Sequence, residues 1–423
     1  MMQFGRGLMP YGAAVAFTPG LVVRPHGTAS LGLRVQIAND AHIRRAWGPA
    51  IAEKIAAEMR RRLMAVLPGG CRVLCEGGGG LAVDFHLGEW PDDGVVDAML
   101  PTWLGHLCAA TLLDPVATDA GLICVWLSVD WSLEGQARAR ICPFQGAPMA
   151  DGRDAEALYR ADMQRVVAFL PSLMRSDDSV EAAFALHWQP VVDRSGGILF
   201  HEALCRPCDD DGAIQPPEPL LLALERLGFV SLLDQAVVSA VIDELEAVAE
   251  VSLAVNVSAQ SLACAGSWSE LCERLIRRPD VARRLVWEIT ETALASDMDQ
   301  ATAFIAVIKD MGCRVAVDDF GVGFASIRQL LIFSPDIIKI DRLFLERATQ
   351  GGRDAVIFRQ MVELARSFGA EVVVEGIETR AQADLVDAAG AVWQQGYFHA
   401  RPSSAMPWRR NPDDRTACLV VRP

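Results

Sequence analysis

Eight residues in the C-terminal half share one position in the sequence pattern: each stands where a short apolar run finishes. ILFH leads to Glu202, SLAV to Asn256, LVW to Glu288 and VAV to Asp318–Asp319. DII leads to Lys339, VVV to Glu375 and VWQ to Gln395. The set is five carboxylates, two amides and a lysine. Carboxylates gathered closely repel one another unless something cationic sits among them. Hard divalent cations, Mg²⁺ or Mn²⁺, match oxygen donors of this kind. No histidine occupies any of these positions, which argues against zinc or a facial-triad iron. A carboxylate-held pair of such ions commonly activates water and stabilises a phosphoryl centre. Any one of these acids alone reads as a helix N-cap or a solvated loop residue. The joint pattern carries the weight.

For these residues to meet, the apolar runs must be strands whose carboxyl ends converge. From Ala183 onward the strand candidates are FALHWQPVVD, GILFHEAL, SLAVNVS, RLVWEITE, RVAVDDF, DIIKID, EVVVEGIE and AVWQQGYF. Amphipathic segments such as VSLLDQAVVSAVIDELEAVAE and DAVIFRQMVELARSFG separate most of them. Apolar strands alternating with helices predict a parallel sheet covered on both faces. Eight such strands fit a (β/α)₈-type barrel, whose strand ends share one mouth. A doubly wound open sheet is the alternative.

The N-terminal half follows a different pattern. A strand at LGLRVQIA, a helix from Trp47 to Leu67, a hairpin CRVLCE–GGGG–LAVDF, a helix through 95–113 and a strand at GLICVWLSVDW predict an α+β sheet with helices. The four glycines can cradle an anion, but Leu81, Ala82 and Val83 follow them without a charge, so a tight hairpin is the plainer reading. GQARARICPFQGAPMADGRD reads as a loop and DAEALYRADMQRVVAFLPSLM as a connector helix. The SDDS run at 176–179 marks a boundary, giving domains 1–176 and 177–423.

A net charge of −15 argues against a DNA or RNA binder, which needs a basic surface. It does not exclude an anionic small ligand neutralised by metal ions. The N-terminal stretch MMQFGRGLMPYGAAVAF has no basic–apolar–cleavage pattern, and the most apolar long window is interrupted by Asp97, Pro101 and His106. Eleven scattered cysteines suit buried thiols in a reducing compartment. The expectation is a cytoplasmic protein without a membrane span.

HEALCRP at 201–207, NVS at 256–258, EITE at 288–291, DDFGVGFAS at 318–326, IIKID at 337–341, EGIET at 375–379 and QGYFHARP at 395–402 resemble, in order, the motifs of the EAL-domain family. The resemblance implies a modified TIM barrel that hydrolyses one phosphodiester of cyclic-di-GMP, giving linear pGpG by a two-metal mechanism with Mg²⁺ or Mn²⁺. It implies metal ligands at Glu202, Asn256, Glu288, Asp318, Asp319 and Glu375. Lys339 would position or activate the attacking water, so Lys339, Glu375 and Glu202 form the implied catalytic group. Arg206 matches the arginine that contacts substrate phosphate, Gln189 a ligand-contacting residue, and Gln395 lies at the mouth of the metal site. Glu291, with Asp341, would stabilise the loop that the family links to dimerisation, which implies a homodimer. Val322 stands where that loop usually has Thr, and Pro207 where an aromatic is common.

Behind such a domain, the N-terminal half resembles a degenerate GGDEF domain. Gly77–Leu81 stand at the signature, Gly79 and Gly80 at its acidic positions, Ala38 at a metal-binding Asp, and Arg44–Arg45 at an Asn–Asp pair. Cyclase chemistry needs those carboxylates to hold Mg²⁺ against GTP. The implied role is therefore regulatory or dimerising, with input from a regulatory partner protein. The competing readings are a non-catalytic cyclic-di-GMP receptor, an interaction scaffold and a bifunctional enzyme.

Overall fold

The computed structural model describes residues 29–66, 72–76, 80–87, 114–133, 136–141, 152–173, 183–209, 211–262, 268–290, 298–322 and 327–409. They form two compact units. The first runs to Ala183 and takes in Cys208–Phe229; the second comprises Phe184–Pro207 and the described residues from Val230.

In the first unit the order is β1 (Ala29–Ile37), α1 (Asp40–Trp47), α2 (Pro49–Val66), β2 (Arg72–Cys75), β3 (Leu81–Leu87), β4 (Val116–Thr118), β5 (Gly121–Ile123), β6 (Leu127–Leu133), β7 (Gln136–Ile141) and α3 (Arg153–Leu173). An antiparallel sheet is ordered β2-β3-β1-β6-β7, and β4 and β5 form a separate small hairpin. Strand β1 buries Leu31, Leu33, Val35 and Ile37 while exposing Arg34 and Gln36, a period of two. Helix α2 buries Ala52, Ile55, Ala56, Met59 and Leu63 at helical spacing.

Three local expectations change. The single helix begins earlier and is two helices, because Gly48 at φ 89° ends α1 and Pro49 starts α2. The strand GLICVWLSVDW breaks over residues 124–126, where Asn39 takes the backbone bonds: its Nδ2 donates to the Cys124 carbonyl, and the Trp126 N–H donates to its Oδ1. QARARI is not loop but β7, paired with β6; its alternation outweighs the flanking Gly and Pro. The helix expected through 95–113 lies outside the described residues.

The boundary expected at 176 does not divide residues 208–229 from the first unit. Helix α4 (Pro217–Leu227) buries Leu220, Ala223, Leu224 and Leu227 there, and Phe229 meets the Trp126 ring edge-on at 4.8 Å. Arg226 grips Asp162 of α3 with two parallel bonds, Nε to Oδ2 at 2.7 Å and Nη2 to Oδ1 at 2.9 Å. Fork geometry of this kind is the strong form of an ion pair. Asp162 is only 1% exposed, and Arg165 is its other cationic partner, at 3.4 Å. Replacing Arg226 by Met should therefore destabilise this unit by about 2 kcal/mol, the cost of a buried carboxylate stripped of its main partner and discounted for the half-open arginine. Denaturant unfolding of the variant checks this; an unchanged midpoint would show that the pair contributes nothing.

The second unit is a closed barrel. Its elements are β8 (Phe184–Val192), β9 (Ile198–Pro207), α5 (Val230–Ala247), β10 (Leu253–Val257), α6 (Ala259–Leu262), α7 (Ser269–Arg277), α8 (Pro279–Ala282), β11 (Leu285–Thr290), α9 (Met298–Asp310), β12 (Arg314–Phe320), α10 (Ile327–Phe333), β13 (Ile337–Ile340), α11 (Arg342–Ala348), α12 (Gly352–Ser367), β14 (Glu371–Val374), α13 (Arg380–Ala389) and β15 (Trp393–Gln394). The ring runs β10-β11-β12-β13-β14-β15-β8-β9, which excludes the open sheet. One strand departs from the parallel expectation: β8 is antiparallel to both β9 and β15. The turn Asp193–Gly197 between β8 and β9 is too short for a crossover, so only a hairpin can form.

Inside the ring Val191, Phe200, Ala254, Val286, Ala316, Ile337 and Val373 pack as one apolar layer, one residue from each of seven strands. Two residues further toward the mouth, on the same inward face, stand Gln189, Glu202, Asn256, Glu288, Asp318, Lys339 and Glu375. The layer of apolar side chains is thus the floor of the polar one.

Candidate active site

The polar layer closes around Lys339. Its ammonium, fully buried, lies 2.7 Å from Glu375 Oε1, 2.8 Å from Glu288 Oε2, 3.2 Å from Asp318 Oδ2 and 3.5 Å from Glu202 Oε2. Glu202 is fixed from two further sides. Asn256 Nδ2 donates to its Oε1 at 2.7 Å and Gln395 Nε2 to its Oε2 at 2.6 Å. Gln395 also reaches Gln189 Oε1 at 3.4 Å, and Gln189 Nε2 donates to the Ala400 carbonyl at 3.0 Å. The expectation that all these residues cap strand ends needs correction. Glu202 lies mid-strand, because the hairpin with β8 carries β9 on to Pro207; Glu288 likewise lies inside β11.

Asp319 holds a left-handed backbone at φ 56°, uncommon for a residue with a side chain, and its N–H donates to Asp318 Oδ1 at 2.9 Å. Strain of this kind persists where surrounding structure over-determines it. Asp341 caps α11, accepting the Leu343 N–H at 2.9 Å. Arg206 extends along β9 beyond Glu202 and donates to the Cys205 carbonyl at 3.0 Å. Glu291 and Gly77–Gly79 lie outside the described residues. The strands flanking the glycine run do pair, Cys75 opposite Leu81, with the Glu76 N–H donating to the Gly80 carbonyl at 2.8 Å. Arg44 pairs with Asp40, and Arg45 with Glu156. Ala38 is exposed at the end of β1.

The donor set fits hard cations. Oxygens of Glu202, Glu288 and Asp318 lie within 4.8 Å of one another, and so do those of Asp318, Asp319 and Glu375; Asp318 belongs to both groups. Glu288 Oε1 and Gln395 Oε1 are buried without a hydrogen-bond partner. Orphaned oxygens beside two carboxylate triads are what an oxygen-coordinated ion would satisfy.

Without such an ion the cup manages its charge with protons. Burial pushes Glu375 up to about 8 despite the pull of Lys339, and pushes Glu288 well above the usual carboxylate range. Lost hydration, then repulsion from Asp318 and Asp341, lifts Asp319 to about 6. For Glu202, burial acts upward, but Lys339, Gln395 and Asn256 overcome it and hold the carboxyl below its ordinary value. The same acids overcome the burial of Lys339 and keep it protonated.

A carboxyl that binds its proton more tightly folded than unfolded stabilises the fold at low pH, and that stability is lost as pH climbs from the unfolded value to the folded one. For Glu375 the window runs from about 4.5 to about 8. Chelator-treated protein should therefore melt at falling temperature across this window, and Glu375→Gln should flatten the fall. Parallel melting curves for the two proteins would refute the assignment.

Sequence reasoning passed over Gly396 and Gln394. A Cβ on Gly396 would fall on the Ile377 carbonyl oxygen and amide nitrogen, so the segment after β15 can lie against the segment after Glu375 only with glycine there. Gln394, 1% exposed, donates to Asp387 Oδ1 at 2.8 Å and meets His399 Nε2 at 2.9 Å, fixing the same turn. The signal available was a QQG triplet ending an apolar run. Gly396→Ala should destabilise the barrel by about 1–3 kcal/mol, because the Ile377 backbone must shift to admit the methyl group. Denaturant unfolding tests this, and an unchanged midpoint would sink it.

Residues 175–402 match the EAL domain family. The chain is 28% identical over 287 residues to MucR of Pseudomonas aeruginosa, a bifunctional diguanylate cyclase/cyclic di-GMP phosphodiesterase, covering 64% of this chain and 42% of that protein. It is 31% identical over 220 residues to the cyclic di-GMP phosphodiesterase PdeL of Escherichia coli, covering 51% of this chain and 61% of that one. The chain thus spans about half the length of the curated relatives it matches. Among solved structures, the FimX EAL domain of Xanthomonas citri, in complex with c-di-GMP, superposes with a TM-score of 0.52 at 21% identity. That match covers 61% of this chain and all of that one, a likeness of fold.

Proposed function

The chain belongs to the EAL domain family, and from that premise we propose that it hydrolyses cyclic-di-GMP to linear pGpG, using two divalent cations, Mg²⁺ or Mn²⁺. The observation that carries this reading is the pair of oxygen triads sharing Asp318. Two bound divalent ions would supply a water of lowered pKa and offset charge on the phosphoryl group. The charge count agrees: the five carboxylates and Lys339 sum to −4, which two divalent cations neutralise.

The chain's own residues then divide the work. Glu202, Asn256, Glu288, Asp318, Asp319 and Glu375 would hold the ions. Lys339 keeps the carboxylates in register and offsets charge at the reacting phosphate. Arg206 offers a guanidinium fork to a phosphate, and Gln189 and Gln395 orient the nucleotide at the mouth. Water adds to phosphorus, one ribose oxygen leaves, and the second phosphodiester stays intact. Glu291 and Asp341 would serve the loop-stabilising role that the family resemblance implies. A receptor that only binds cyclic-di-GMP has no need of a complete ligand set, and here each ligand position is filled.

The N-terminal domain, 1–176, we read as a GGDEF-like domain that has lost catalysis, ahead of the phosphodiesterase domain at 177–423. The sheet order, the β2–β3 pairing around the glycine run, and Ala38, Gly79 and Gly80 at the acidic positions support this. A homodimer fits the exposed Val322, Ile327, Leu331 and Ile332 on and before α10. Among the described residues no helix is long and apolar enough to cross a membrane.

Chromatography of cyclic-di-GMP incubated with purified protein and Mn²⁺ tests the central claim. Wild type should yield pGpG, and Glu202→Ala should retain less than about 1% of that rate. Metal-dependent binding without turnover would favour the receptor. GTP offered to the same protein should yield no cyclic-di-GMP. Light scattering should give a dimer for wild type and a monomer for Leu331→Glu; the same mass for both would place the contact elsewhere.

A further inference from the structure

Asp234 is a charged residue in an apolar stretch of α5, surrounded in sequence by the buried Val230, Leu233, Val237, Val238 and Val241. It is itself 8% exposed. Its Oδ2 accepts the Ser258 N–H at 2.8 Å and the Ser261 hydroxyl at 2.6 Å. The two serine hydroxyls lie 2.8 Å apart, and the Ser261 carbonyl accepts the indole N–H of the fully buried Trp268 at 2.8 Å. Ser258 is the first residue past β10, two positions after Asn256. Asn256 in turn donates to Glu202 at 2.7 Å and lies opposite Glu288 in the strand register.

We propose that Asp234 is a positioning residue for the cation cup, pinning the end of β10 so that the Asn256 amide keeps its nitrogen on Glu202 and its oxygen toward the ions. The proposal rests on the cup reading above and goes beyond its ligand set. The physical case is an accounting of donors. The Ser258 N–H lies where β10 has ended, beyond its last ladder pairing with β11, and the Asp234 carboxylate is the acceptor that takes it. A carboxylate that accepts a backbone N–H and a hydroxyl on one oxygen fixes both groups more tightly than a neutral acceptor would. With that anchor gone, Val257 and Ser258 are free to shift, and Asn256 is the nearest polar side chain to shift with them. Outer partners that orient ligands typically govern metal affinity by about 10–100-fold.

The test is Mn²⁺ binding to the full chain, read by electron paramagnetic resonance without nucleotide, followed by turnover at saturating Mn²⁺. Asp234→Ala should weaken Mn²⁺ binding about 10–100-fold while kcat at saturating metal changes far less. Asp234→Asn keeps an oxygen in the same place and should restore most of the affinity. A folded Asp234→Ala that binds Mn²⁺ like wild type overturns the proposal, as does an Asp234→Asn as weak as Asp234→Ala. Should Asp234→Ala fail to fold, Ser261→Ala decides: weaker Mn²⁺ binding supports the anchor, and unchanged binding removes it. Wild type that binds no Mn²⁺ removes the cup reading and this one together. Wild type that binds, with all three variants equal to it, removes only the positioning role.

Discussion

One buried ammonium is the condition for the rest of the barrel's interior. Lys339 rises from β13, which lies diametrically across the ring from β9, and its side chain spans the barrel to within 3.5 Å of Glu202. On the way it contacts acids from β11, β12 and the segment just past β14. Each acid placed alone in that interior would lose its hydration for nothing, at a cost of several kcal/mol. Gathered around a single cation and two amides, they can be buried together. The lysine is long enough to reach four carboxylates at once from one strand.

The period of a strand does the placing. In six strands, and at the residue just past β14, a polar residue of the cup stands two from an apolar residue of the floor, so both point inward and one lies above the other. A slip of one residue in any strand would turn its cup residue out toward the helices and leave a gap in the floor. The apolar floor therefore enforces the register of the chemistry above it. Substituting in the floor is therefore not independent of substituting in the cup.

Much of this was legible in the sequence because buried parallel strands read as continuous apolar runs, and an acid or lysine that interrupts such a run stands out. Strand direction was legible in a turn and not in a strand: FALHWQPVVD carries no mark of antiparallel pairing, and the shortness of the Asp193–Gly197 turn decides it. The partner of α4 was hidden for a similar reason. Its apolar face announces burial but not against what, and the fork from Arg226 to Asp162 joins residues 64 apart in sequence. The break at 124–126 depends on the side chain of Asn39, 85 residues upstream of Cys124, and a strand propensity cannot register that. Gly396 was missed because the reason for it is another segment's backbone, that of Ile377.

The neighbours of each acid also decide how it behaves when no ion is bound. Glu202 is anchored by two amide donors as well as the lysine, and these favour its charged form. Glu288 keeps one oxygen unpartnered, and among the described residues Lys339 is what offsets the burial of Glu375, so both hold protons that Glu202 does not. A cation entering the cup would meet a preformed carboxylate in Glu202 and would have to displace protons from Glu288 and Glu375. The ordering follows from hydrogen-bond donors and not from distance to the lysine, since Glu202 is the farthest of the four from it. The amides of Asn256 and Gln395 therefore do more than fill space: they favour the charged form of one buried acid, which would give an incoming cation its first point of attachment.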